Sequence, residues 1–230
     1  MRKVYKNINR LSNNWRLFLA RSKIADILLD IEAVTFSFKK PYLYTFVSGI
    51  KGPMYCDNRQ LISFPNKRRI VVNEFIKIAK KLKFDVVGGV STAGIPWAAL
   101  VADRFDKPMI YIRPEPKRYG KKRQIEGHLE RGHRVLVIED LISTGRSAIS
   151  AIDAVRRNGG RVIDCIFIFT YGLAEAKENF KRAKCNMRPL LTFTDLITAA
   201  VERKYISEQE KDELLKWQKN PKKYWRFSTF

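Results

Sequence analysis

The sharpest chemistry lies between residues 135 and 148. Val135-Leu136-Val137-Ile138 reads as an apolar strand and ends in two adjacent carboxylates, Glu139 and Asp140. Leu141 and Ile142 lead into Ser143-Thr144-Gly145-Arg146-Ser147, and a helix is predicted from Ser147. Loop N–H groups, hydroxyls and a helix N-terminus together make an anion cradle suited to phosphate. Gly145 lets the backbone approach such a ligand closely. Two carboxylates would repel a phosphate unless they serve another part of the ligand. Sugar hydroxyls, or a magnesium-bearing ligand, are the natural candidates. A ribose 5-phosphate satisfies both halves, with phosphate in the loop and its 2′- and 3′-hydroxyls on Glu139 and Asp140. The plainer alternative is an ordinary helix cap beside a solvent-facing acidic pair.

Two other segments favour anions. Thr92-Ala93-Gly94-Ile95-Pro96 is a tight turn into a helix N-terminus, or else a routine strand–helix connection. Residues 113–127 carry Arg113, Lys117, Arg118, Lys121, Lys122 and Arg123. Such a stretch is either a solvated loop or a cationic lid that neutralises a departing anionic group and excludes water.

Alternating strands and helices must position these segments. Strands are expected over 85–90, 108–113, 134–139 and 161–171. Helices are expected over 70–83, 96–105 and 147–158, the last closed by Gly159-Gly160. Apolar strands alternating with helices imply an α/β fold: a central parallel sheet flanked by helices, with ligands at the carboxyl ends of the strands. Ile24, Ile27, Leu28 and Ile31 mark an earlier helix. Residues 42–57, broken by Gly49, Gly52 and Pro53, read as a hairpin-like excursion. After an alternating patch at 190–193, two more helices are expected over 194–204 and 207–219. The second opens with the capping box Ser207-Glu208-Gln209-Glu210.

The 230 residues include 45 Lys+Arg against 23 Asp+Glu, a net charge of +22, on a chain 45% hydrophobic. That apolar content excludes a disordered polybasic tail. No apolar stretch approaches the ~20 residues a membrane span needs. Cys56, Cys165 and Cys185 are odd in number and widely spaced, which argues against a disulfide framework and for a reducing, cytoplasmic setting. His128 and His133 are the only histidines, so a His-rich metal site is excluded. Residues 1–23 carry seven basic residues and no acid. They are read as a basic N-terminal arm or helix rather than a targeting segment, ahead of one domain over 24–230. Within that domain a small hood is expected at about 24–66, a core at about 67–175 and C-terminal helices at about 190–230. The positive charge invites nucleic acid, but no aromatic-interleaved basic stripe organises it, so nucleic acid is not the expected partner.

Residues 135–148 resemble the phosphoribosyl pyrophosphate (PRPP) motif of type I phosphoribosyltransferases. Three further segments narrow the resemblance to orotate phosphoribosyltransferases: Thr45–Arg59 to the base-site segment, Gly88–Pro96 to the pyrophosphate loop, and Tyr111–Gly127 to the mobile catalytic loop. The resemblance runs from about Ala25 to Arg226. It implies transfer of ribose 5-phosphate from PRPP to orotate, giving orotidine 5′-monophosphate and pyrophosphate in UMP biosynthesis. It implies Lys117, Asp140 and Glu139 as catalytic residues. PRPP would meet Thr92, Arg113, Lys117, Tyr119, Glu139, Asp140, Leu141, Ile142, Ser143, Thr144, Gly145, Arg146 and Ser147. Orotate would meet Ser48, Tyr55, Cys56 and Ser143. Mg2+ would arrive on PRPP rather than in a protein cage, and a homodimer would share its sites through the mobile loop. Four positions depart from the family pattern: Val47 for a frequent lysine, Gly52 for a serine, Tyr119 for a histidine and Arg146 for a common glycine. The alternatives are a phosphoribosyltransferase for another base, and a PRPP-sensing regulator that binds nucleic acid.

Overall fold

A computed structural model describes residues 13–38, 44–46, 48–115 and 124–224. The first helix, α1 (Asn13–Asp30), runs through residue 23 without a break. Four short strands follow: β1 (Val34–Phe36), β2 (Tyr44–Thr45), β3 (Lys51–Gly52) and β4 (Met54–Cys56). β1 pairs antiparallel with β4, and β2 with β3, so the hairpin-like excursion is two small ribbons. A 3-10 turn (Asn58–Ser63) leads into α2 (Pro65–Ala79), whose start lies five residues before the expected one because Pro65 supplies a ready-made first turn.

The central sheet holds β5 (Val86–Val90), β6 (Met109–Ile112), β7 (Ile125–Glu126), β8 (Val135–Ile142), β9 (Asp164–Thr170) and β10 (Asn186–Thr192). Its spatial order is β10-β9-β8-β5-β6-β7. Five strands are parallel. The two-residue β7 runs antiparallel to β6 at one edge, so the expected parallel sheet is in fact mixed. Its helices are α3 (Ile95–Phe105), α4 (Arg146–Arg157), α5 (Ala174–Arg182), α6 (Phe193–Glu202) and α7 (Glu208–Lys219).

Both sheet faces are covered, as continuous apolar strands require. Leu136 and Ile138 of β8 join the core built with α1, α2, α3, α6 and α7. Val135 and Val137, one residue out of phase, join the core under α4 and α5. The capping box of α7 is present, Ser207 accepting from the Glu210 N–H, and α6 carries a second one in Thr192 and Asp195. Among the described residues, no helix is long and apolar enough to cross a membrane.

Parallel strands bring their carboxyl ends to one edge. Val90, Ile112, Ile142 and Thr170 therefore end on the same side of the sheet, and the loops that follow them share that side. The β1–β4 ribbon reaches this edge too. Asn58, buried just past β4, donates its amide to the Asp140 carbonyl at 2.9 Å.

Candidate active site

A cleft of about 420 Å³ opens at this edge, with the acidic pair and the Ser/Thr/Gly loop on one wall and the N-terminal ribbons on the other. Strand β8 extends beyond the acids to Ile142, pairing Leu141 with Phe169 and Ile142 with Thr170 of β9. Glu139 and Asp140 therefore sit within rigid sheet, the strand running three residues past its expected end at Glu139. Glu139 is 6% exposed. The Asp140 N–H donates to Glu139 Oε1 at 3.0 Å. Burial lifts the Glu139 carboxyl well above the usual carboxylate range, and the adjacent Asp140 charge adds to it. Burial also lifts Asp140, against hydrogen bonds to Glu139 and the Leu141 N–H and the charge of Arg59. These features exclude a merely solvent-facing acidic pair.

After Ile142 the chain turns through Ser143, Thr144 and Gly145 into α4. Gly145 has φ +79°, and a Cβ there would lie 2.9 Å from the Phe180 ring, so the turn requires glycine twice over. No side chain caps α4. Its first N–H groups consequently face the cleft without an intrahelical acceptor. The Ser143 hydroxyl is buried without a hydrogen-bond partner among the described residues. Orphan donors at a helix start beside an unpartnered hydroxyl form a phosphate cradle. Asn179 of α5 fixes this loop from behind, donating to the Thr144 carbonyl at 2.9 Å.

The opposite wall suits a flat ring. Phe46, Tyr55 and Tyr171 line it, with Ser48 and Cys56 between them. The Cys56 N–H donates to the Tyr171 hydroxyl at 3.2 Å, and its thiol donates to Asn58 Oδ1 at 3.2 Å. Burial above all, then the Asp140 and Asp57 charges, pushes that thiol far up, so Cys56 shapes the cleft and is no nucleophile. The hydroxyls of Ser48 and Ser91 are, like that of Ser143, buried and unpartnered among the described residues. Three orphan hydroxyls around one cleft leave polar valences for a ligand to fill.

Most of the sequence-predicted site residues meet here. Ser48, Tyr55, Cys56, Thr92, Glu139, Asp140, Leu141, Ile142, Ser143, Thr144, Gly145, Arg146 and Ser147 all line the cleft. Arg113 does not. It sits half-buried just past β6, tied by its N–H to the Gln124 carbonyl at 2.9 Å. Lys117 and Tyr119 lie outside the described residues, as does Val47. Arg146 turns its guanidinium away from the cradle onto Glu175 of α5, at 2.9 Å. Lys222 shares that carboxylate at 3.2 Å. Burial alone would raise Glu175, but hydrogen bonds from these two cations outweigh it and hold the carboxyl low. Thr45, Phe46, Asp57, Arg59, Ser91 and Tyr171 also line the cleft and were not predicted. Arg59 was within reach of sequence reasoning, as the one cation closing the quoted base-site segment.

Departure at Gly52 has a packing cause. A Cβ there would stand 2.8 Å from the Trp217 ring and 3.1 Å from Phe46. Trp217 fills the space a serine would need.

Among the described residues, no cluster of three or more His, Cys, Asp or Glu could hold a metal by itself. The oxygens of Glu139 and Asp140 are hard donors that suit Mg2+ whose remaining ligands come from elsewhere.

Residues 66–194 match the phosphoribosyl transferase domain family. The chain is 49% identical over 207 residues to an orotate phosphoribosyltransferase of Coxiella burnetii, covering 89% of this chain and 98% of that one. Its fold superposes on the orotate phosphoribosyltransferase of Aeropyrum pernix with a TM-score of 0.69 at 27% identity, covering 80% of this chain and 99% of that one. It also superposes on Leishmania donovani UMP synthase with a TM-score of 0.73 at 27% identity, covering 86% of this chain and 42% of that longer one.

Proposed function

The chain belongs to the orotate phosphoribosyltransferase family, and from that membership and the cleft we infer that it transfers ribose 5-phosphate from PRPP to orotate. Pyrophosphate leaves and orotidine 5′-monophosphate forms, a step of pyrimidine biosynthesis. One observation carries the reading: an acid pair on rigid strand, an uncapped helix start and an aromatic-walled recess all open into the same 420 Å³ cleft.

Each part has a task in that reaction. The loop Ser143–Ser147 and the start of α4 hold the 5′-phosphate through backbone N–H groups and hydroxyls. Arg146 supplies its N–H there, while its side chain stays on Glu175. Glu139 and Asp140 accept hydrogen bonds from the 2′- and 3′-hydroxyls. As the bond to pyrophosphate lengthens, positive charge grows on the ribose, and the Asp140 carboxylate stabilises it across a short, partly desolvated distance. The base stands against Phe46 and Tyr55, with Ser48 and Ser143 for its polar edge. Thr92 borders the side from which pyrophosphate departs. No covalent nucleophile enters, so catalysis is positioning and electrostatics.

Several finer assignments complete the proposal. Lys117, Arg113 and Tyr119 serve the leaving pyrophosphate from the 113–127 loop. Two chains pair, each lending its Lys117 to the other's cleft. Mg2+, bound with PRPP, would offset the charge of the pyrophosphate oxygens, with Asp140 and Glu139 as the protein donors nearest to hand. The domain spans 24–230, with residues 1–23 as an appended basic segment. Three unpaired, buried cysteines suit a reducing cytoplasm.

The test is an incubation of purified protein with PRPP, Mg2+ and one base at a time: orotate, uracil, adenine or hypoxanthine. Mass spectrometry should find orotidine 5′-monophosphate in the first and little nucleotide in the others. Preferential consumption of another base would replace orotate as substrate. No nucleotide from any base would remove the catalytic reading.

A further inference from the structure

Orotate differs from uracil by a carboxylate on its ring, and that charge needs a partner once water is displaced. Among the described residues that line the cleft, only Arg59 and Arg146 are cations. Arg146 is committed to Glu175, on the α5 side of the cradle. Arg59 stands on the base side, just past β4.

Its guanidinium is already aimed. Nε donates to Asp57 Oδ1 at 2.6 Å, and the Arg59 N–H donates to the same oxygen at 3.3 Å. One Nη2 proton reaches the Tyr55 hydroxyl at 3.4 Å. Nη1 and the other Nη2 proton have no partner among the described residues. They form a two-pronged end matching the spacing of carboxylate oxygens. Asp57 orients this fork and is itself held, its N–H donating to the Ala33 carbonyl at 2.7 Å. Arg59 and Asp140 line the same cleft, close enough for each to feel the other's charge.

We propose that Arg59 is the specificity residue that reads the carboxylate of the base, held in place by Asp57 and Tyr55. This rests on the orotate reading above and adds the residue that tells orotate from uracil. The plainer role, an arginine closing a surface turn with Asp57, accounts for the Nε bond. It leaves the outer fork, at the mouth of the base recess, without a task.

The experiment uses two nucleotides that differ only in the carboxylate. Orotidine 5′-monophosphate and uridine 5′-monophosphate are titrated calorimetrically into wild type, Arg59→Gln and Arg59→Lys. In Arg59→Gln, orotidine monophosphate should weaken by roughly 30- to 300-fold, the scale of a lost charge-assisted, bidentate contact. Uridine monophosphate and PRPP should stay within about threefold. Arg59→Lys keeps the charge without the fork and should fall between. KM for orotate should rise in Arg59→Gln while KM for PRPP does not. Equal weakening of both nucleotides, or of neither, would overturn the assignment. Should Arg59→Gln fail to fold, the nucleotide ratio in Arg59→Lys decides: a shift of at least fivefold supports the proposal, and none rejects it. Wild type that does not consume orotate would instead fail the parent reading, a separate and visible outcome.

Discussion

Trp217, near the end of the chain, donates its indole N–H to the carbonyl of Lys51 at 2.8 Å, across 166 residues. The ring is fully buried and meets Phe46, Tyr171 and Phe193 at centroid distances of 6.0, 5.7 and 5.8 Å. Helix α7 thereby holds the β2–β3 ribbon, and with it the Phe46 wall of the cleft. Trp217→Ala should cost about 3–5 kcal/mol of stability, the range for a buried indole. Trp217→Phe keeps most of the ring and loses one hydrogen bond, about 1 kcal/mol. In the milder variant KM for orotate should rise more than KM for PRPP, because the base wall loosens and the phosphate cradle does not. Chemical denaturation and steady-state kinetics read both effects.

Proton release should accompany PRPP binding. Burial keeps the Glu139 carboxyl protonated above the usual carboxylate range. A carboxylate that accepts ribose hydroxyls is favoured in its charged form, so the ligand drives the proton off. Calorimetry in buffers of different ionisation enthalpy should show net release at pH values between the ordinary carboxylate range and the lifted one, reduced in Glu139→Gln. The same group sets a trend in ligand-free stability. Its folded pKa is raised, so the native state binds the extra proton. Stability is then full below the ordinary carboxylate range and falls as pH rises toward the lifted value. The melting temperature of wild type relative to Glu139→Gln should follow that slope; a flat difference contradicts it.

Arg146 replaces a common glycine of the related motif yet should matter little. Its side chain is 65% exposed, with the guanidinium paired to Glu175. Surface pairs of this kind contribute about 0–1 kcal/mol. Arg146→Gly should therefore alter KM for PRPP by less than about threefold. A loss beyond tenfold would show that the side chain swings onto the ligand.

If each cleft borrows Lys117 from a partner chain, two inactive variants should complement. Lys117→Ala and Asp140→Asn chains, mixed and allowed to exchange, form hybrid dimers with one intact site. Activity should recover toward a quarter of wild type at equal mixing. No recovery despite verified exchange would reject the shared site.

The catalytic wall of the cleft was legible because its chemistry is local. An apolar strand, two acids and a Ser/Thr/Gly turn are contiguous, and parallel-sheet geometry fixes where they end. The other wall was legible only in part. Ser48, Tyr55 and Cys56 came from resemblance, whereas Asp57, Asn58 and Arg59, at the end of the same segment, were given no role until tertiary contacts supplied their partners. Tyr171 was placed on a strand, but its role as cleft floor depends on Cys56, 115 residues away. Helix α5 escaped notice because only Ala176 and Phe180 are buried on it, too few to show a helical period. Strand β10 was seen only at its end. Arg188 and Pro189 interrupt its pattern, and both are tolerated because β10 is an edge strand. The acid pair was read as the end of its strand, since carboxylates are rare inside a sheet; here β8 continues past it, pairing Leu141 and Ile142 with Phe169 and Thr170 of β9, and Glu139 stays buried.

The central claim is that Asp140, on the rigid end of β8, stabilises charge developing on a ribose bound between the cradle and the aromatic wall. Asp140→Asn keeps the shape and removes the charge. The decisive measurement is kcat for orotate-dependent pyrophosphate release by this variant, beside its melting temperature and PRPP affinity. A fall of about 10²-fold or more, with fold and PRPP binding retained, is the expected result. Unchanged turnover in a well-folded Asp140→Asn protein would contradict it.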